Sequence, residues 1–182
     1  MSDDLRKLIR QLQGAHAGEL AAAFAYRGHW KSLRHGADRE RIREIEAEEL
    51  HHRELVAGLL AQAGARPNKL REAIFWCIGR TLGALCHVSG WFIPMYGAGK
   101  LERSNIVEYE DAAEYASRCG HEAMIDCLLE MAEVEWEHER YFRECVQRHW
   151  LSRFVPVWEA APAKESIRAK WQGEQERVAA AS

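Results

Sequence analysis

Paired cysteines are missing from this sequence. Its five (Cys77, Cys86, Cys119, Cys127 and Cys145) are odd in number, scattered and never spaced C-x-x-C. That argues against a disulfide framework, a zinc ribbon or a built-in rubredoxin-like iron centre, and leaves most of them as small buried hydrophobes. No glycine-rich flavin or nicotinamide fingerprint occurs, so a redox reaction would borrow its electrons from outside the chain. Basic runs interleaved with aromatics are also absent. With a formal net charge of −3 and a pI near 6.3, nothing points to a nucleic-acid surface. The opening MSDDLRKLIRQLQG sets acids before bases and has no apolar stretch, unlike a secretory signal, so a cytoplasmic protein is expected.

What the chain does have is helical periodicity. Its 182 residues are 47% hydrophobic, enough for one domain with a proper core. Leu5, Leu12, Glu19, Tyr26 and Leu33 recur at seven-residue intervals, which predicts a helix from Asp4 to about Leu33. Asp38 is a fair N-cap for a second helix reaching about Ala63, before the Gly64-Ala65-Arg66-Pro67 break. One side of it carries Ile45, Glu49, His52, Val56 and Leu59. Residues 73–99 are apolar and aromatic, but Arg80, His87 and Pro94 interrupt them. An arginine at a membrane centre costs about 3 kcal/mol, so this segment is expected to pack on the bundle rather than cross a membrane; whether it touches a membrane surface is left open by the sequence.

A third helix is predicted from Asn105 to Arg118, with Leu101, Glu108 and Tyr115 at intervals of seven, and a fourth from Glu122 to Trp150. In the fourth, Met131, Val134, Glu135, His138, Tyr141, Phe142 and Cys145 superpose by position on Ile45, Glu48, Glu49, His52, Leu55, Val56 and Leu59. The expected fold is therefore all-α, a four-helix bundle of two duplicated helix pairs joined by an apolar connecting helix. The bundle is assigned to residues 1–150. Residues 151–182, polar and alanine-rich with Pro156 and Pro162, are assigned to a peripheral C-terminal helix and a frayed tail.

The duplication carries chemistry. Each half has a lone Glu, a Tyr seven places on and a Glu-x-x-His: Glu19, Tyr26, Glu49 and His52, then Glu108, Tyr115, Glu135 and His138. Residues three apart on a helix reach one ion from adjacent turns, and two such sets give four carboxylates and two imidazoles, the donors of a dinuclear site in a bundle. An unpartnered carboxylate on a packed apolar face costs several kcal/mol, and two divalent cations balance four of them. Oxygen donors with one imidazole per ion suit iron or manganese better than zinc or calcium. Tyr26 and Tyr115 are candidate catalytic residues beside the metals or on a redox path, against a plain packing role. Glu48 and His51 form a third Glu-x-x-His, but their phase puts them on a partly solvated surface. His16 is a candidate to orient Glu19, against a satisfied, partly buried histidine.

These residues resemble the demethoxyubiquinone hydroxylases of the ferritin-like di-iron carboxylate superfamily. The likeness runs from about residue 8 to 145. It rests on His16-Ala17-Gly18-Glu19 with Tyr26, Glu49-x-x-His52, Arg66-Pro67, the apolar gap helix, Val107-Glu108 with Tyr115, and Glu135-Trp136-Glu137-His138. It implies a ferritin-like bundle with metal ligands Glu19, Glu49, His52, Glu108, Glu135 and His138. It also implies two irons that activate dioxygen, an external electron donor or reductase, and hydroxylation of a quinone-like or other apolar small molecule. The alternative is a ferritin-like protein that oxidises iron or consumes peroxide without an organic substrate. The sequence carries no signal for oligomeric state.

Overall fold

The computed structural model describes residues 2–169 and 171. Five α-helices account for most of them: α1 Asp3–Ser32, α2 Ala37–Gln62, α3 Lys69–Leu85, α4 Phe92–Arg118 and α5 Ile125–Arg148. Short 3-10 turns, Glu122–Met124 and Trp150–Arg153, flank α5, and no strand occurs among the described residues. Ser2 caps α1 by accepting from the Leu5 amide, with Asp3 and Asp4 in the first turn where the helix dipole favours acids. Asn68 caps α3, accepting from the amides of Leu70 and Arg71. Gly64 and Gly120 end α2 and α4 at φ 68° and 77°, left-handed values that glycine adopts without steric cost.

α1 pairs with α2, α4 pairs with α5, and α3 carries the chain from one hairpin to the other. The result is the ferritin-like four-helix bundle, with α3 laid against α1. That contact is made by small residues. Gly79 and Gly83 are the buried positions of α3, and a Cβ at Gly79 would run into the backbone of Ala21, as one at Gly28 would run into that of Gly83. Close backbone approach leaves the large side chains of α3 facing outward. Leu70, Ile74, Ile78, Leu82 and Leu85 are all exposed. No described helix is long and apolar enough to cross a membrane.

Two apolar clusters fill the bundle. One holds Leu8, Leu12, Val56, Leu60, Ile106, Ala113, Leu128 and Met131; the other holds Ala22, Tyr26, Ile42, Ile45, Met95, Phe142 and Val146. In every bundle helix the residues between the clusters include a buried acid, so a polar belt crosses the middle of the core.

The start of α4 differs from the sequence reading. A single apolar segment over 73–99 followed by a helix from Asn105 is not what forms: α3 ends at Leu85 and α4 begins at Phe92. Pro94 falls in the first turn of α4, where amides have no intrahelical acceptor to lose, so it does not break the helix. Gly99 is a packing position, since a Cβ there would strike the Trp158 ring and the Cβ of Phe142.

Past Arg153 the chain runs back along α5. Trp158 Nε1 donates to Glu139 at 2.8 Å, Trp136 Nε1 donates to the Pro162 carbonyl at 2.7 Å, and Arg168 pairs with Glu133 and Asp126 at 2.7 and 2.6 Å. Ile167 is buried in the first cluster. The frayed tail expected at the end of the chain lies outside the described residues from 172 onward.

Candidate metal centre

The polar belt consists of Glu19 on α1, Glu49 and His52 on α2, Glu102 on α4, and Glu135 and His138 on α5, none of them more than 3% exposed. Helical phase puts them there. Each stands on the inward stripe of its helix between apolar neighbours, as Glu102 does between Met95 and Ile106.

Two overlapping donor groups result. Glu19, Glu49, His52 and Glu135 bring ligand atoms within 4.8 Å of one another, and so do Glu49, Glu102, Glu135 and His138. Glu49 and Glu135 belong to both. The contacts are reciprocal between the two halves. His52 Nδ1 lies 3.0 Å from Glu135 Oε1, and His138 Nδ1 lies 3.1 Å from Glu49 Oε1. Likewise the Tyr26 hydroxyl donates to Glu102 and the Tyr109 hydroxyl donates to Glu19.

This arrangement corrects the second half of the site. Glu108 is exposed and takes no part in either donor group; six residues beyond Glu102, it is rotated about 120° around α4, and its backbone carbonyl accepts from Gln11. Tyr115 is half-buried beside Lys7 and Arg118, each about 6.0 Å from its ring, and does not approach the site. Glu102 and Tyr109 stand in their places. Both pairs have the same seven-residue spacing, so spacing alone does not choose between them. The choice lies in the neighbours. Leu101, seven before Glu108, is 47% exposed, whereas Met95, Ile106, Ala113 and Ala116 mark the buried stripe of Glu102 and Tyr109.

Glu48 is partly solvated, as expected, but it also reaches the centre. Its carboxylate accepts from His138 Nε2 at 2.7 Å and from Arg41 at 3.1 Å, while His51 does face outward. His16 hydrogen-bonds Glu72 at 2.8 Å rather than Glu19. Asn105, which the sequence marks only as a helix start, donates to Glu102 at 2.9 Å and approaches Glu135 at 3.5 Å.

Electrostatics follow the crowding. Burial, then the charge of Glu49, pushes the Glu19 carboxyl well above the usual range; burial, then Glu135, does the same to Glu102. Burial alone would raise Glu135 as well, but hydrogen bonds from His138 and His52 hold it well below. Against the cost of burial, the surrounding carboxylates push His138 well above its ordinary value. The His138 contact draws Glu48 down to about 2, with burial opposing and Arg41 helping.

The donor atoms fit metal. Both carboxylate oxygens of Glu49, Oε2 of Glu19 and Nδ1 of His138 are buried without a hydrogen bond. His138 Nδ1 and Glu49 Oε1 are close but not aligned to bond each other. Such orphaned groups cost about 1–3 kcal/mol each and more when charged, and cations between them would remove that cost. Four carboxylates and two imidazoles divide into two positions of mainly oxygen donors with one nitrogen each, a set suited to iron or manganese.

A cavity of about 310 Å³ between α1, α3 and α4 ends at this belt. Its walls include Gly18, Ala22, Phe75, Ile78 and Leu82, and its inner end is formed by Glu19, Asn105 and Tyr109.

Over residues 6–112 the chain matches the family model of Ubiquinone biosynthesis protein COQ7. It belongs to that family. The match spans α1 to α3 and most of α4, and so contains Glu19, Tyr26, Glu49, His52, Glu102 and Tyr109. Glu135 and His138 lie beyond it on α5, and the fold brings them to the same centre. No curated protein and no solved structure matches the chain significantly.

Proposed function

We propose that this COQ7-family chain is a di-iron hydroxylase of ubiquinone biosynthesis, using dioxygen to hydroxylate a quinone-like aromatic. The observation that carries the reading is the buried, reciprocally paired set Glu19, Glu49, His52, Glu102, Glu135 and His138 at the inner end of an apolar cavity. When bound, two irons supply the redox chemistry for dioxygen. The protein holds them. Glu49 and Glu135 would serve both positions, Glu19 with His52 and Glu102 with His138 would complete one each, and Tyr26 and Tyr109 fix the two non-shared carboxylates by hydrogen bonds.

The apolar walls orient a flat ring against Glu19 and exclude water from the reacting end. Gly18 and Ala22 leave the room that larger side chains would fill. Insertion of one oxygen atom, with the other leaving as water, consumes two electrons and two protons, which an external donor or reductase provides. Ile78 and Leu82 line the cavity and also lie on the exposed apolar face of α3, so an apolar substrate has a route from a membrane surface that this face touches. Iron oxidation or peroxide consumption without an organic substrate needs no such cavity, and the cavity favours hydroxylation.

The test is turnover of a quinol precursor by iron-loaded protein with a chemical reductant under ¹⁸O-labelled dioxygen. One labelled oxygen in the product is expected. Iron oxidation or peroxide loss, with no labelled product across a panel of quinols, would favour the alternative.

A further inference from the structure

The tyrosine contacts and the cross-pairing of imidazole with carboxylate are reciprocal between the two halves of the centre. Glu135 faces His52 as Glu49 faces His138, and Tyr109 serves Glu19 as Tyr26 serves Glu102. Glu48 breaks the pattern. Its Oε2 lies 2.7 Å from Nε2 of His138, a ring with no exposed surface, and its other oxygen is pinned by Arg41 at 3.1 Å. An ionised carboxylate only accepts, so Nε2 carries a hydrogen whether the ring is neutral or charged, and the lone pair that a metal ligand needs comes from Nδ1. Nδ1 is the atom turned inward, 3.1 Å from Glu49 Oε1 and 3.6 Å from Glu135 Oε2.

The other half has no such group. Glu48 directly precedes Glu49, and the residue directly before Glu135 is Val134, which can accept nothing. Among the described residues no carboxylate is hydrogen-bonded to Nε2 of His52, whose hydrogen bond runs from Nδ1 to Glu135 at 3.0 Å. A carboxylate on the outer nitrogen of a ligating imidazole fixes its tautomer and raises its basicity, and losing one typically costs roughly 10- to 100-fold in metal affinity.

We propose that Glu48 makes the two metal positions unequal: as a positioning residue on the outer nitrogen of His138, it makes the Glu102/His138 position the tighter of the two. This inference rests on the metal-binding reading above. The first equivalent of metal therefore goes to the Glu102/His138 side and the second to the Glu19/His52 side. Glu48 lines a polar crevice with Arg41, Glu44, Arg140 and Tyr141, so its substitution disturbs no apolar packing.

The test is anaerobic titration of the full chain with cobalt(II), following d–d absorption and the paramagnetically shifted imidazole N–H resonances. Wild type is expected to bind two equivalents in two steps, with one slowly exchanging N–H signal, from His138, appearing at the first. In Glu48→Gln the tight step should weaken by roughly 10- to 100-fold, the weak step should move less than about threefold, and the N–H signal should exchange faster. Unchanged steps, or equal weakening of both, would overturn the proposal. Failure of wild type to bind two equivalents would instead sink the metal-centre reading itself. Should Glu48→Gln not fold, Arg41→Gln replaces it, with a smaller but equally selective loss expected and an equal loss or none overturning the proposal.

Discussion

Tyr109, in the second half of the chain, donates its hydroxyl hydrogen bond to Glu19 in the first. Tyr26 returns the contact to Glu102. Each hairpin thus orients the lone carboxylate of the other, and the centre cannot form from either hairpin alone. Removing one hydroxyl leaves a fully buried carboxylate short of a partner. Tyr109→Phe and Tyr26→Phe should each cost about 1–3 kcal/mol of metal-free stability by denaturant unfolding. Tyr115→Phe, whose half-buried ring lies beside Lys7 and Arg118 away from the centre, should stay within about 0.5 kcal/mol. Equal effects at all three positions would contradict the assignment.

Stability should depend on pH in a defined direction. Glu19 and Glu102 have folded-state values raised above 4.5, so the folded metal-free chain keeps protons that the unfolded chain has released, and stability falls as pH rises past 4.5. His138 is raised above 6.5, and its contribution, full below 6.5, is also lost as pH rises through its folded value. Glu48 acts oppositely: its contribution is present above 4.5 and lost as pH falls toward about 2. Metal bound by these side chains would displace the protons of Glu19, Glu102 and His138. The gain in melting temperature on metal loading should therefore be larger at about pH 8 than at about pH 5.5. Calorimetry at the two pH values measures it, and a gain that shrinks with rising pH would be inconsistent with these groups as ligands.

The seam between α1 and α3 should be intolerant of added volume. A Cβ at Gly79 meets the Ala21 backbone, which cannot rotate away as a side chain can. Gly79→Ala should destabilise by about 1–3 kcal/mol, the usual cost of overpacking, although alanine is the better helix former by about 1 kcal/mol. Gly97, with open space around its position, is the control: Gly97→Ala should be neutral or stabilising. A neutral Gly79→Ala would mean that the two helices are not in backbone contact.

Much of the architecture was legible because heptad spacing and helix stops act locally. The ends of α1 and α2 fall within a residue or two of where Leu5 to Leu33 and Asp38 to Ala63 put them. Pro94 misled, since it resembles a breaker in sequence. Pro94 is harmless in a first turn and Gly99 answers to Trp158, a partner 59 positions away that no local pattern reveals. The same error hid Glu102, which fell outside the helix as first drawn. Leu101, Glu108 and Tyr115 formed a convincing stripe, but on the outer side of α4. The role of Glu48 was unreadable for a related reason: its phase on α2 is that of a surface residue, and only the approach of α5 turns it toward His138.

The most direct test of the central claim is metal stoichiometry in three proteins, by elemental analysis after anaerobic ferrous loading. Wild type and Glu108→Ala should each hold close to two irons, and Glu102→Ala should lose one. Retention of both irons by Glu102→Ala with loss in Glu108→Ala, or no iron in the wild type, would contradict the centre described.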